Sequence, residues 1–148
     1  MSGDGRDAPG IWFGVDVGTV RVGVARSDPN GTLAVPVTTL TRDARTDRDI
    51  TELAALVAEY EASGVVLGLP RTLAGREGTA AELARDYGQR LAARIVPVPV
   101  EFVDERLTTV SAQRKLQQGG VRGRAGRAVI DQAAAVELLQ HWLDVRRA

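Results

Sequence analysis

A chain of 148 residues with 44% hydrophobic and 26% charged residues is long enough for one domain with a single core, and its 19 basic and 19 acidic residues cancel to zero formal charge. Cysteine is absent and His141 is the only histidine, which excludes disulfides, thiolate metal sites, cysteine nucleophiles and multi-histidine zinc centres. No apolar run approaches the roughly 20 residues of a membrane span, and Met1 to Pro9 lacks the apolar centre of a signal peptide, so a cytoplasmic protein without a membrane partner is expected.

Met1 to Gly10 reads as a flexible tail ahead of a single domain over residues 11–146. Ile11 to Val17 and Val20 to Arg26 are strand-like runs separated by Gly18-Thr19, which predicts a tight hairpin. Thr32 to Leu40 follows the turn signal Asp28-Pro29-Asn30-Gly31, and three strands without room for crossover helices predict an antiparallel meander. Leu53, Leu56, Val57 and Tyr60 then recur at helical spacing, and Val65 to Leu69 reads as a buried strand. A helix over Thr79 to Ala93, opened by the capping-box spacing of Thr79 and Glu82, leads to a fifth strand, Val98 to Val103. Leu107 to Gln118 and Arg127 to Arg146 are expected helices joined by a glycine-rich basic loop from Gly119 to Gly126. The order β-β-β-α-β-α-β-α-α predicts an α/β fold, a mixed five-stranded sheet with helices on its faces and ligands near the carboxyl ends of its parallel strands.

Asp16 interrupts an apolar strand, where an ionised carboxylate is costly unless it is paired, hydrogen-bonded or bound to a cation. Asp104-Glu105 ends the fifth strand, and strand alternation selects Glu105 as the one that faces the site, with Glu101 on the same face but lower in the strand. Asp131 opens the last helix, whose Ala133, Ala134 and Ala135 are small enough for close approach to the sheet. Three acids at element ends suggest a cation site. With oxygen donors only, Mg²⁺ or Mn²⁺ is the expected ion, and two such ions can activate water and stabilise a departing oxygen in phosphodiester hydrolysis. Each acid also has an ordinary structural explanation. Asp16 can cap the turn at Gly18-Thr19, Glu105 can pair with Arg106, and an acid in a helix's first turn is favourable in its dipole whatever its function.

Between Arg106 and Ile130 there is no acid, while Arg106, Arg114, Lys115, Arg122, Arg124 and Arg127 are basic. A patch of one sign suits a nucleic-acid backbone, although a solvated helix face would look similar. Arg71, in the glycine-bearing loop before the helix at Thr79, and Arg21, after the first turn, are further candidate phosphate contacts.

The stretches GVDVGTVRVGVA (Gly14 to Ala25), GLPRTLAGREG (Gly68 to Gly78), VDERLTT (Val103 to Thr109) and VIDQAAAVELLQHWLD (Val129 to Asp144) occur in order along the chain. Together they resemble the YqgF/RuvX family of RNase H-like proteins, described as Holliday junction resolvases and as nucleases for the 5′ end of pre-16S ribosomal RNA. The resemblance implies an RNase H-like fold and metal-dependent nuclease chemistry that leaves a 5′-phosphate and a 3′-hydroxyl, with Asp16, Glu105 and Asp131 as the acids. It also implies a nucleic-acid partner, either pre-16S rRNA, alone or in ribosomal precursor particles, or branched DNA, for which a homodimer is expected. Val20 stands where members commonly carry a basic residue, and the basic run before the last helix is diluted with glycine and alanine. Two other readings remain. Asp-Val-Gly-Thr also resembles the phosphate hairpin of actin-like ATPases and sugar kinases, which need two such domains, and a non-catalytic RNA-binding factor is compatible with the neutral net charge.

Overall fold

The computed structural model describes residues 10–70, 78–105 and 123–147, with the side chains of 123–129 and 147 excepted. Five strands, β1 (Trp12–Val17), β2 (Arg21–Ser27), β3 (Ala34–Thr41), β4 (Gly64–Leu69) and β5 (Val100–Asp104), alternate with α1 (Arg48–Glu59), α2 (Thr79–Ile95) and α3 (Gly123–Arg147). The sheet order is β3-β2-β1-β4-β5. β2 pairs antiparallel with both β1 and β3, whereas β4 pairs parallel with both β1 and β5, so the expected mixed sheet is present.

Strand alternation divides the core in two. Phe13 and Val15 of β1, with Val22, Val24, Val65 and Leu67, pack against Ile50, Leu53 and Val57 of α1 and Tyr87, Leu91 and Ile95 of α2. On the opposite face Trp12, Ala25, Ala34 and Val66 pack against Ala135, Leu139 and Leu143 of α3, and Trp12 lies against Trp142 with ring centroids 4.3 Å apart. Burial of these two layers supplies the main driving force for folding. Gln132 and Gln140 fix α3 along its length. The Gln132 amide donates to Thr39 Oγ1 at 3.1 Å, while Gln140 accepts from the Ala34 amide and donates to the Thr32 carbonyl, each at 2.9 Å.

Three local expectations change. The last helix starts at Gly123, so Arg124 and Arg127 fall on its first two turns and not in or beside a loop. Gly126 costs this helix roughly 1 kcal/mol relative to alanine, and the packing of the helix across β1, β2 and β3 offsets it. Asp131 therefore lies two turns inside the helix, beyond the first turn where a dipole contact would explain it. At α2 the N-cap is Gly78, with no side-chain cap, which puts Thr79 inside the helix and removes the capping-box role of Thr79 and Glu82. Met1 to Pro9, the loop containing Arg71, Arg106, the expected helix from Leu107 to Gln118 with Arg114 and Lys115, and Arg122 after it lie outside the described residues. Among the described residues no helix is long and apolar enough to cross a membrane.

Candidate active site

Asp16 shares the α3 face of β1 with Trp12 and Gly14, and only 3% of its surface is exposed. Its cross-strand neighbour on β2 is Gly23. On the other side the β1–β4 register runs to Val15↔Leu67, and the same offset one residue further sets Gly68 beside Asp16. Two glycines thus flank the buried carboxylate, and each leaves room for another acid.

Any side chain at Gly23 would collide with the backbone carbonyl of Asp131, so the missing Cβ is what lets α3 settle over β2 at this point. Gly14 does the same one turn further along the helix, where an added Cβ would lie 2.6 Å from Leu139 Cβ and 3.0 Å from the Ala135 carbonyl. At Gly68 an added Cβ would stand 2.6 Å from Glu105 Oε1. Glu105 is 8% exposed and lies two residues beyond Val103, which packs on the α3 side. Glu105 thus follows the last residue of β5 on the side of Val103, whereas Glu101 is exposed. Asp16 sits at the centre, with Asp131 on its β2 side and Glu105 on its β4 side.

Asp131 is engaged by a cation. Arg21, the first residue of β2, donates from Nε to Asp131 Oδ2 at 2.7 Å, with 26% and 13% of the two side chains exposed. Arg21 was expected to contact nucleic acid; the structure sets it at the edge of the acid cluster, paired with one of the three acids. Among the described residues no three histidine, aspartate or glutamate side chains are close enough to cage an ion as they stand.

A second polar cluster, not anticipated from the sequence, supports the β1–β2 turn from the opposite face. The Arg42 amide donates to the Val20 carbonyl at 2.9 Å, and its guanidinium reaches Asp47 Oδ1 at 3.1 Å and Asp49 Oδ1 at 3.0 Å. Asp49 is 1% exposed and also accepts from the Asp43 amide at 3.0 Å and the Tyr87 hydroxyl at 2.9 Å. Burial, reinforced by the Asp49 charge, pushes the Tyr87 phenol well above its usual range. Asp49 lies in a helix's first turn, and nothing in its sequence context distinguishes it from a surface acid. The glycines did leave a signal, because Gly14, Gly23 and Gly68 all interrupt apolar strands.

A five-stranded sheet in the order 3-2-1-4-5, flanked by helices, is an RNase H-like fold of the kind seen in RuvC. Over 93% of this chain and 96% of the other, the fold superimposes on Thermus thermophilus RuvC in complex with Holliday junction substrate with a TM-score of 0.56 at 12% identity. The RuvX family, described as Holliday junction resolvase, matches residues 10–145, and the chain belongs to it. Relatives bearing the name "Putative pre-16S rRNA nuclease" include one from Frankia casuarinae, 60% identical over 93% of this chain and 68% of its own length. Others come from Mycobacterium sp. (strain KMS), 59% identical over 99% of this chain and 86% of its own, and from Mycolicibacterium smegmatis, 58% identical over 97% and 87%.

Proposed function

We propose that this RuvX-family nuclease uses Asp16, Glu105 and Asp131 to hold divalent ions and hydrolyses phosphodiester bonds at the 5′ end of pre-16S rRNA. The observation that carries the reading is the pair of glycines, Gly23 and Gly68, that brings Asp131 and Glu105 to either side of the buried Asp16. A hydrophobic sheet gains nothing from acids set on either side of a buried carboxylate, whereas a hard cation is bound by oxygen donors of this kind. The oxygen-only chemistry of the three side chains suits Mg²⁺ or Mn²⁺, which would supply charge neutralisation and an acidified water.

The chain's own contribution is placement. Asp16 is carried by a packed strand, Glu105 follows the last residue of β5, and Asp131 sits on a helix held on both sides of its contact, so closing around an ion calls for side-chain rotation and not for movement of these elements. Arg21 adds one positive charge at the edge. The basic residues Arg71, Arg106, Arg114, Lys115, Arg122, Arg124 and Arg127 would guide the phosphate backbone, in the cytoplasm and in precursor particles, by charge and without reading sequence. A 5′-extended 16S precursor RNA cut in Mn²⁺ by the wild type and not by Asp16→Asn is the expected result; full activity in that variant would overturn the assignment.

The family description and the RuvC architecture favour a second substrate, the four-way DNA junction. Symmetrical cutting of two strands requires a two-fold dimer, so paired cuts by a dimeric species are the result that would select it. Binding of either nucleic acid that persists in EDTA, with no cleavage in Mn²⁺, would select a non-catalytic factor.

A further inference from the structure

Resting on that reading of the site, we propose that Arg21 is a built-in counter-ion that competes with the divalent ion for Asp131 and, once displaced, turns to a phosphate of the nucleic acid. The Arg21 Nε to Asp131 Oδ2 distance of 2.7 Å is at the short end for a charge-assisted hydrogen bond. Both side chains are largely withdrawn from water, which limits screening of the pair.

The two partners differ in freedom. The Asp131 backbone is wedged against Gly23, and the next residue is tied to Thr39, so the helix that carries this carboxylate cannot retreat. Arg21 is the first residue of β2, next to the β1–β2 turn, and carries a long side chain on the same strand face as Gly23, two residues on. Exchange of partners is therefore a rotation of Arg21 and not a movement of the helix.

Charge decides the direction of exchange. Without an ion, Asp16, Glu105 and Asp131 repel one another, and the guanidinium offsets part of that repulsion. A dication in the same place repels the guanidinium and attracts the carboxylates, so ion and Arg21 oppose each other at Asp131. A phosphate introduced by the substrate reverses the relation, because it attracts both. Metal binding and backbone binding then help one another, and the coupling is reciprocal.

The test is calorimetric titration of Mn²⁺ into the full chain without nucleic acid, comparing wild type with R21Q, R21K and D131N, each checked by thermal melting. D131N is expected to bind Mn²⁺ at least tenfold more weakly, and R21Q roughly tenfold more tightly, the size expected from loss of one charge-assisted bond to a part-buried carboxylate. R21K is expected to return the affinity toward that of the wild type. In Ca²⁺, R21Q is expected to bind a single-stranded RNA oligonucleotide less tightly than wild type does. If D131N loses Mn²⁺ while R21Q binds it as wild type does or more weakly, the counter-ion role is overturned and the metal site stands. If D131N binds as wild type does, Asp131 is no ligand, and both the site reading and this inference fail. Should R21Q not fold, R21M, which keeps the length and apolar stem, carries the same expectation and the same reversal.

Discussion

The Tyr87 hydroxyl, on α2, donates to the buried carboxylate of Asp49, on α1, at 2.9 Å. The same carboxylate receives Arg42, whose guanidinium lies 4.9 Å from the centre of the Tyr87 ring and whose amide holds the Val20 carbonyl. One buried acid thus joins two helices to the turn that connects Asp16 with Arg21.

Tyr87→Phe removes only the donor and keeps the ring on which Arg42 rests. The variant is expected to lose about 1–3 kcal/mol, because Asp49 stays buried with one bond fewer. Urea unfolding followed by circular dichroism should show a lower midpoint with an unchanged slope. A midpoint equal to that of the wild type would mean that Asp49 is satisfied without Tyr87.

Gly23→Ala forces a methyl group into the Asp131 carbonyl. Overpacking of this kind costs about 1–3 kcal/mol, and displacing Asp131 by about 1 Å is expected to lower cleavage about 100-fold. Gly78→Ala is the control, since among the described residues nothing lies within 4 Å of its added Cβ; it should lose about 0.5–1 kcal/mol through the poorer N-cap and leave cleavage unchanged. Equal stability and equal activity in the two variants would remove Gly23 from the account of the site.

Asp16→Asn keeps the side chain's shape and discards its charge. Cleavage of precursor RNA in Mn²⁺ is expected to fall by at least about 100-fold, the upper end of what loss of a mere supporting residue costs. Far-UV circular dichroism should stay that of the wild type, which separates loss of a ligand from loss of the fold.

Asp28 accepts the backbone amides of Leu33 at 2.8 Å and Thr32 at 2.7 Å, and these bonds hold its carboxyl below the usual 3.8. A depressed folded pKa means that the contribution is present above the unfolded value of about 3.9 and is lost as pH falls through the folded one. Asp28→Asn should therefore melt below the wild type at pH 7, and the gap should narrow as the pH is taken below 3.8. A gap that stays constant across this range would show that the two amide bonds do not depend on the charge.

Short-range features of the sequence determined the five strands in their order along the chain, the mixed sheet and the helices between β3 and β5, and they singled out Asp16, Glu105 and Asp131 as candidates. Alternation and helical spacing act over a few residues, and the four motifs occur in a fixed order along the chain. The same local signals misplaced the start of α3, because glycines at positions 123 and 126 look like a loop until the helix they begin is seen to pack across β1, β2 and β3. Only the tertiary structure decided that Gly23 and Gly68 set two acids beside Asp16, that Arg21 holds Asp131 across 110 positions of sequence, and that Asp49 is a buried tie and not a surface charge. Those relationships depend on strand order and on the offset between strands. Both are settled when the two faces of the sheet bury their apolar surface together, which no local stretch of residues encodes.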